Sequence, residues 1–168
     1  MTALETGRLL LTPLSYDHCE FIFELVNEPS FKQYIGDKNV TSLEDARRYL
    51  RDGPVGNYER HGYGLFIVAS KDSGEHLGIC GLLKREQFDD PDLGFAFLER
   101  HRGQGYASEA AIAVLDFGFE GLRLCRIIAI ADPDNEPSVR ILRKLGFAWS
   151  GKVRMPDDEH DIDVYAKE

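Results

Sequence analysis

Arg100-His101-Arg102-Gly103-Gln104-Gly105-Tyr106-Ala107-Ser108 decides the reading of this chain. An apolar strand-like run precedes it, and a helical pattern follows from Tyr106 to Phe119. A helix start offers unpaired N–H groups and about half a unit of positive charge, which suits phosphate. Gly103 and Gly105 let the backbone approach an anion closely and adopt positive φ. Arg100 and Arg102 add charge, and Ser108 adds a hydroxyl in the first turn. No Gly-Lys-Ser/Thr follows, so this is not a P-loop. A dinucleotide fingerprint calls for Gly or Ala where Ser108 stands and an acidic residue about twenty positions on, where the chain reads Leu122-Arg123-Leu124-Cys125. On its own the stretch remains open between an anion grip and a tight strand-to-helix bend without a ligand.

Outward from the turn the periodicity is clear. Asp92 to Leu98 reads as the preceding strand, and Arg126-Ile127-Ile128-Ala129-Ile130-Ala131 as a strand covered on both faces. The unit from Asp92 to Ala131 predicts a parallel pair joined by a crossover helix. Upstream, Tyr63–Ser70 and His76–Lys84 flank the polar loop Lys71-Asp72-Ser73-Gly74-Glu75 and predict a hairpin. Arg8–Leu14 predicts a first strand, stopped at Pro13. Two helices are expected next: one capped by Asp17 with Glu20, one by Thr41 with Glu44. Gly53-Pro54 and Gly56-Asn57 predict a turn. Downstream, a helix is expected from Glu136 to Leu145 with Gly146 as its cap, then strands near Trp149–Arg154 and Ile162–Ala166. The fold class is α+β: a mixed, mostly antiparallel sheet of about seven strands with helices on both faces.

The 168 residues fit one domain, with 43% hydrophobic and 29% charged residues. The net charge of -9 argues against a nucleic-acid partner and favours amine-bearing ones. Cys19, Cys80 and Cys125 are odd in number and lack metal-ligand or redox spacing, so neither a metal nor a disulfide is expected. Reduced thiols and the lack of a signal peptide point to the cytoplasm. No apolar run approaches the ~20 residues of a membrane span.

Three separated motifs carry a resemblance. Arg100-x-x-Gly103-x-Gly105 resembles the Gln/Arg-x-x-Gly-x-Gly/Ala signature of the GCN5-related N-acetyltransferase (GNAT) superfamily. Arg102 to Ala110, the opening Glu5-Thr6-Gly7-Arg8-Leu9-Leu10-Leu11, and Asn135-Glu136-Pro137-Ser138 with Lys144-Leu145-Gly146-Phe147 are similar to its RimJ/RimL-like branch, which acetylates ribosomal proteins. The resemblance implies acetyl-CoA as co-substrate, with the amides of Arg102, Gly103, Gln104, Gly105, Tyr106 and Ala107 on the pyrophosphate and Ser108 assisting. It implies a cofactor gap between the Asp92–Leu98 and Arg126–Ala131 strands, lined by the Phe97–Leu98 backbone. Asn135 matches the asparagine on the pantetheine arm, and it equally suits a plain helix N-cap. Arg143 is as much a dipole-compensating surface residue as a phosphate contact.

Acetyl transfer to an amine needs a neutral nucleophile, a donor for the developing oxyanion and a proton for the leaving thiolate. The oxyanion donor is expected to be a backbone N–H of the Leu98 region. The tyrosine that many family members use for the leaving group is replaced by Leu142, and Ser138 matches the serine of the RimJ/RimL-like branch. Base candidates are Glu86, Asp89, Asp90, Asp92 and His61, none singled out by sequence. The acidic run Asp157-Asp158-Glu159-His160-Asp161 flanks the acceptor groove in the family and equally suits a solvated loop. The expected function is N-acetyl transfer to a primary amine, a protein N-terminus or a small molecule, by a monomer or homodimer. The competing readings are a non-catalytic acyl-CoA-binding module and an unrelated nucleotide-binding α/β domain.

Overall fold

The computed structural model describes residues 2–156 and 158–168. Its centre is one eight-stranded sheet in the order β1-β2-β3-β4-β5-β6-β8-β7. The strands are β1 Leu4–Glu5, β2 Leu9–Pro13, β3 Leu65–Ser70, β4 His76–Leu83, β5 Asp92–Phe97, β6 Ile127–Ala131, β7 Ala148–Val153 and β8 Ile162–Lys167. All neighbours pair antiparallel except β5 and β6. The two-residue β1 is the strand beyond the seven expected. It is too short for an alternation pattern to mark, and its pairing with Leu10 and Leu11 creates it.

Helices cover both faces: α1 Cys19–Val26, α2 Pro29–Tyr34, α3 Leu43–Leu50, α4 Gly56–His61, α5 Tyr106–Asp116 and α6 Glu136–Lys144. α5 presents Ala110, Ala111, Val114 and Leu115 to Leu11, Cys80 and Ile127 in one core. Each fully buried Val or Leu contributes roughly 1.5–3 kcal/mol. The small alanines allow the helix to lie close, which brings its first turn over the C-terminal end of β5. Phe21, Ile22 and Leu25 of α1 and Ala46 and Leu50 of α3 build a second core on the other face.

Local signals differ from expectation in several places. Two helices expected before β3 become four, because Pro29 starts α2 at its first turn and the Gly56-Asn57 pair, expected as a turn, continues as the start of α4. The first cap is Ser15, whose hydroxyl accepts from the Asp17 amide while His18 returns the bond to the Ser15 amide. The second is Ser42 with the Asp45 amide, and Asp45 in turn holds the Thr41 amide and hydroxyl. Ser15 caps a single 3-10 turn, Tyr16–His18, that leads into α1, and at the second site Ser42 lies one residue past the expected Thr41. At Gly53-Pro54 the chain stays helical through a widened turn, Arg51–Val55, instead of breaking. Proline lacks the amide a regular helix needs there, and widening absorbs the missing bond.

Candidate active site at the splayed strands

β5 and β6 pair at Asp92 and Ile128, where the Ile128 amide donates to Pro91 O at 3.0 Å. Beyond that point β6 pairs with β8 through Ala131, and β5 pairs with β4 through Phe97. The parallel strands therefore diverge toward their C-terminal ends. A cavity of about 510 Å³ opens between them, with Gly94, Phe95 and Ala96 on one wall and Ala129, Ile130 and Ala131 on the other. Asn135, Ser138 and Leu142 of α6 look into it.

Strand alternation fixes which backbone groups face the gap. The Leu98 amide donates to Leu77 O at 3.1 Å, on the β4 side. With a period of two, the amides of Phe95 and Phe97 face the β6 side. The donor anticipated around Leu98 thus has a committed partner at Leu98 itself; Phe95 lines the cavity, and Phe97, whose amide faces the same side, lies with Leu98 beyond the cavity lining, its carbonyl taken by Arg102. Leu98 is fully buried in the second core. Phe97 O accepts from Arg102 Nε and Nη2 at 3.1 and 2.9 Å.

The glycine turn has the form its sequence suggests. Gly103 and Gly105 adopt φ of +76° and +82°, where a side chain is strained. Among the described residues, no protein group accepts from the amides of Gly103 through Ser108, as expected of a loop ending in a first helical turn. A Cβ on Gly103 would meet nothing within 4 Å, so this side of the turn is open to a ligand. The turn and the gap fit a CoA-like molecule: donors without acceptors at one end, a slot for a narrow arm behind.

The arginines of the motif do not point together. Arg100 pairs with Glu24 and, at 3.6 Å, with Glu75. Arg102 folds back on Phe97 O and Ser30 Oγ, which ties the turn to the end of β5. Arg143 is exposed in the last turn of α6, away from the cavity lining. Asn135 caps α6, its Oδ1 accepting the Ser138 amide at 3.5 Å. Of the five base candidates only Asp92 lines the cavity; Asp90 sits 3.6 Å from Arg126, and His61 packs beside Tyr63. Asp92 is 1% exposed. Burial pushes its carboxyl above the usual range, opposed by the Arg85 guanidinium, whose Nε donates to Oδ2 at 2.5 Å. In the acidic run, Asp158 lines the cavity and His160 bonds Asp132 at 2.9 Å; Asp157 lies outside the described residues.

Sequence reasoning missed the prop beneath the turn. Arg8 Nη1 donates to Gln104 O at 3.0 Å, and its Cζ lies 4.5 Å from the centre of the Tyr106 ring. The same guanidinium holds Glu109 of α5 from Nε and Nη2, both at 2.7 Å. Thr6 Oγ1 and the Arg8 amide complete the hold on Glu109. In sequence the Glu5–Leu11 opening stands out only through its resemblance to the family. Its contact with residues a hundred positions away leaves no periodic trace.

A splayed parallel pair feeding a glycine turn and a donor-rich helix start defines an acyl-CoA-type transferase fold. Comparison with known proteins agrees. The family description "Acetyltransferase (GNAT) domain" matches residues 8–148. The chain is 40% identical over 144 residues to the spermidine N(1)-acetyltransferase of Escherichia coli K12, covering 85% of this chain and 74% of that protein. A solved acetyltransferase from Agrobacterium tumefaciens superposes with a TM-score of 0.84 at 26% identity, covering 100% and 95% of the two chains. The ribosomal L7/L12 α-N-protein acetyltransferase RimL, solved with coenzyme A, shares the fold at a TM-score of 0.82 and 20% identity, over 99% and 97%. The chain belongs to the GNAT family and is an N-acetyltransferase. GNAT acetyltransferases use acetyl-CoA. Among the described residues no group of three or more His, Cys, Asp or Glu is arranged to hold a metal, and no helix is long and apolar enough to cross a membrane.

Proposed function

We propose that this protein moves an acetyl group from acetyl-CoA to a primary amine by direct attack, with the cofactor lying between the glycine turn and the β5–β6 gap. Two features carry this reading: the acceptorless amides at Gly103–Ser108, and a gap lined by β5, β6, Asn135 and Ser138, with β5 running on in sequence to the turn. When bound, acetyl-CoA supplies an activated acyl group on a thiol leaving group.

The residues divide the work along the gap. The amides of Gly103 to Ser108 hold the pyrophosphate, helped by the helix charge. The gap-facing amides of Phe95 and Phe97 orient the arm and stabilise charge on the acyl oxygen. An ammonium acceptor sheds a proton toward Asp92, whose burial raises its proton affinity. The neutral nitrogen then forms the C–N bond as the C–S bond breaks. Ser138 Oγ donates to the departing sulfur and passes it a proton. The remaining proton on nitrogen leaves to solvent, from which Ser138 Oγ regains a proton, and Asp92 later releases its own, so one amide, one thiol and one proton result. Arg100 and Arg102 hold the scaffold rather than the phosphates, because protein partners occupy them, and Arg143 lies exposed in the last turn of α6, outside the cavity lining.

The test is a thiol-release assay over a panel of primary amines, with mass spectrometry of the products. Thiol and N-acetyl product in equal amounts are expected. Coenzyme A binding without product from any amine would mean a non-catalytic acyl-CoA-binding module.

A further inference from the structure

The cavity lining carries an unusual charge. The chain has 29 acidic and 20 basic residues, yet this lining brings Lys38, Arg60, Lys84 and Arg85 together against Asp92, Asp132 and Asp158. Two of those carboxylates are already paired, Asp92 with Arg85 and Asp132 with His160. Lys84 Nζ is turned onto Arg85 O and Phe88 O. Arg85 is different. It bonds Asp92 through Nε, and among the described residues its two terminal nitrogens have no protein acceptor. Its side chain is 35% exposed and lines the cavity. Arg60 lines the same cavity, and among the described residues it too has no protein acceptor. Tyr49 stands close by: burial pushes its phenol up, and the Arg85 charge opposes that shift.

These cations are badly sited for the cofactor. Arg85, with Lys84 beside it in the chain, holds Asp92 at the start of β5, whereas the glycine turn follows its end. A six-residue strand alone separates its ends by about 17 Å. An arginine with a vacant planar fork is a carboxylate receptor, and its geometry rewards two parallel bonds.

Building on the acetyl-transfer reading, we propose that the acceptor is a small amine bearing a carboxylate, a free amino acid, whose carboxylate is taken by the terminal nitrogens of Arg85. Arg60 adds attraction at the rim. Asp92, locked to the same guanidinium, keeps the positive charge in register with the end of the gap. This departs from the relative named for spermidine, since a polycation has no carboxylate for the terminal nitrogens of Arg85 and meets the like charges of Arg85 and Arg60.

The test uses thiol release by the full chain with the proteinogenic amino acids, their carboxamides, and spermidine. For the best amino acid, kcat/KM is expected to exceed that of its own carboxamide by about tenfold or more, because the amide leaves the fork unpaired. Arg85→Gln should raise the amino-acid KM about tenfold and pull the acid-to-amide ratio toward one, leaving the KM for acetyl-CoA unchanged. Arg60→Ala, at an exposed site, should raise the amino-acid KM a few-fold. Equal use of acid and carboxamide, preference for spermidine, or unchanged discrimination in Arg85→Gln would overturn the proposal while leaving the transferase reading intact. Turnover with no amine at all would overturn both.

Discussion

Removing the Arg8 side chain isolates the prop beneath the glycine turn. Arg8→Ala deletes the bond to Gln104 O, the stack on Tyr106 and the fork on Glu109. A hydrogen bond of this kind contributes about 1 kcal/mol. The stack, at a half-exposed site, contributes about 0.5 kcal/mol. The fork joins side chains 48% and 22% exposed, so solvent screening holds it to about 0.5–1 kcal/mol. The first two contacts hold the turn itself, and about 1.5 kcal/mol corresponds to roughly a tenfold loss of cofactor affinity. The whole set sums to about 2 kcal/mol of stability. Steady-state thiol release should show KM for acetyl-CoA rising about tenfold with kcat and the amine KM little changed, and calorimetry should show the same loss for coenzyme A. Thr6→Val removes a bond to Glu109 but touches nothing in the turn, so it should lower Tm with little change in KM for acetyl-CoA. The reasoning fails if Arg8→Ala lowers Tm yet binds coenzyme A like the parent.

Further outcomes follow from the same geometry. Gly105→Trp should abolish coenzyme A binding, since φ of +82° strains any side chain and the Cβ position already lies 3.4 Å from Arg8 Nη2; circular dichroism should report a folded chain, and retained affinity would point to another loop. Ser138→Ala should lower kcat about ten- to a hundredfold with the KM for acetyl-CoA unchanged, and unaltered turnover would remove the hydroxyl from the reaction. Asp92→Asn should cut kcat and abolish the acidic limb of the pH–rate profile, because the parent loses activity as pH falls through the raised Asp92 pKa; a parent-like limb in the variant would assign the proton acceptor elsewhere. Burial opposes ionisation of Glu109, but bonds from Thr6 and Arg8 together outweigh it and hold the carboxyl below its ordinary value. Its contribution to stability is therefore present above the ordinary carboxylate range and lost as pH falls through the depressed pKa, and an acid melting series should show Glu109→Gln flattening that loss.

The parts of the fold that sequence made legible are those with strong periodicity. The all-apolar β6, the alanine-faced α5 and the β3–β4 hairpin announce themselves, and the crossover between β5 and β6 follows from their order. Caps fell at Ser15 and Ser42 rather than at Asp17 and Thr41, and Pro54 was absorbed by a widened turn. At the site, the glycine turn was readable because positive φ and an open helix start are chemically distinctive. The division of labour among the arginines was not. Arg100, Arg102 and Arg8 look alike as letters, and only their partners, Glu24, Phe97 O and Gln104 O, separate them. Asp92 could not be told from Glu86, Asp89 and Asp90 because its burial depends on the sheet edge that β6 covers.

Backbone amide shifts during a coenzyme A titration test the central claim most directly. The account predicts the largest changes at Gly103 through Ser108, with Phe95 and Phe97 next. Saturable coenzyme A binding that leaves the Gly103–Ser108 amides unshifted would contradict it.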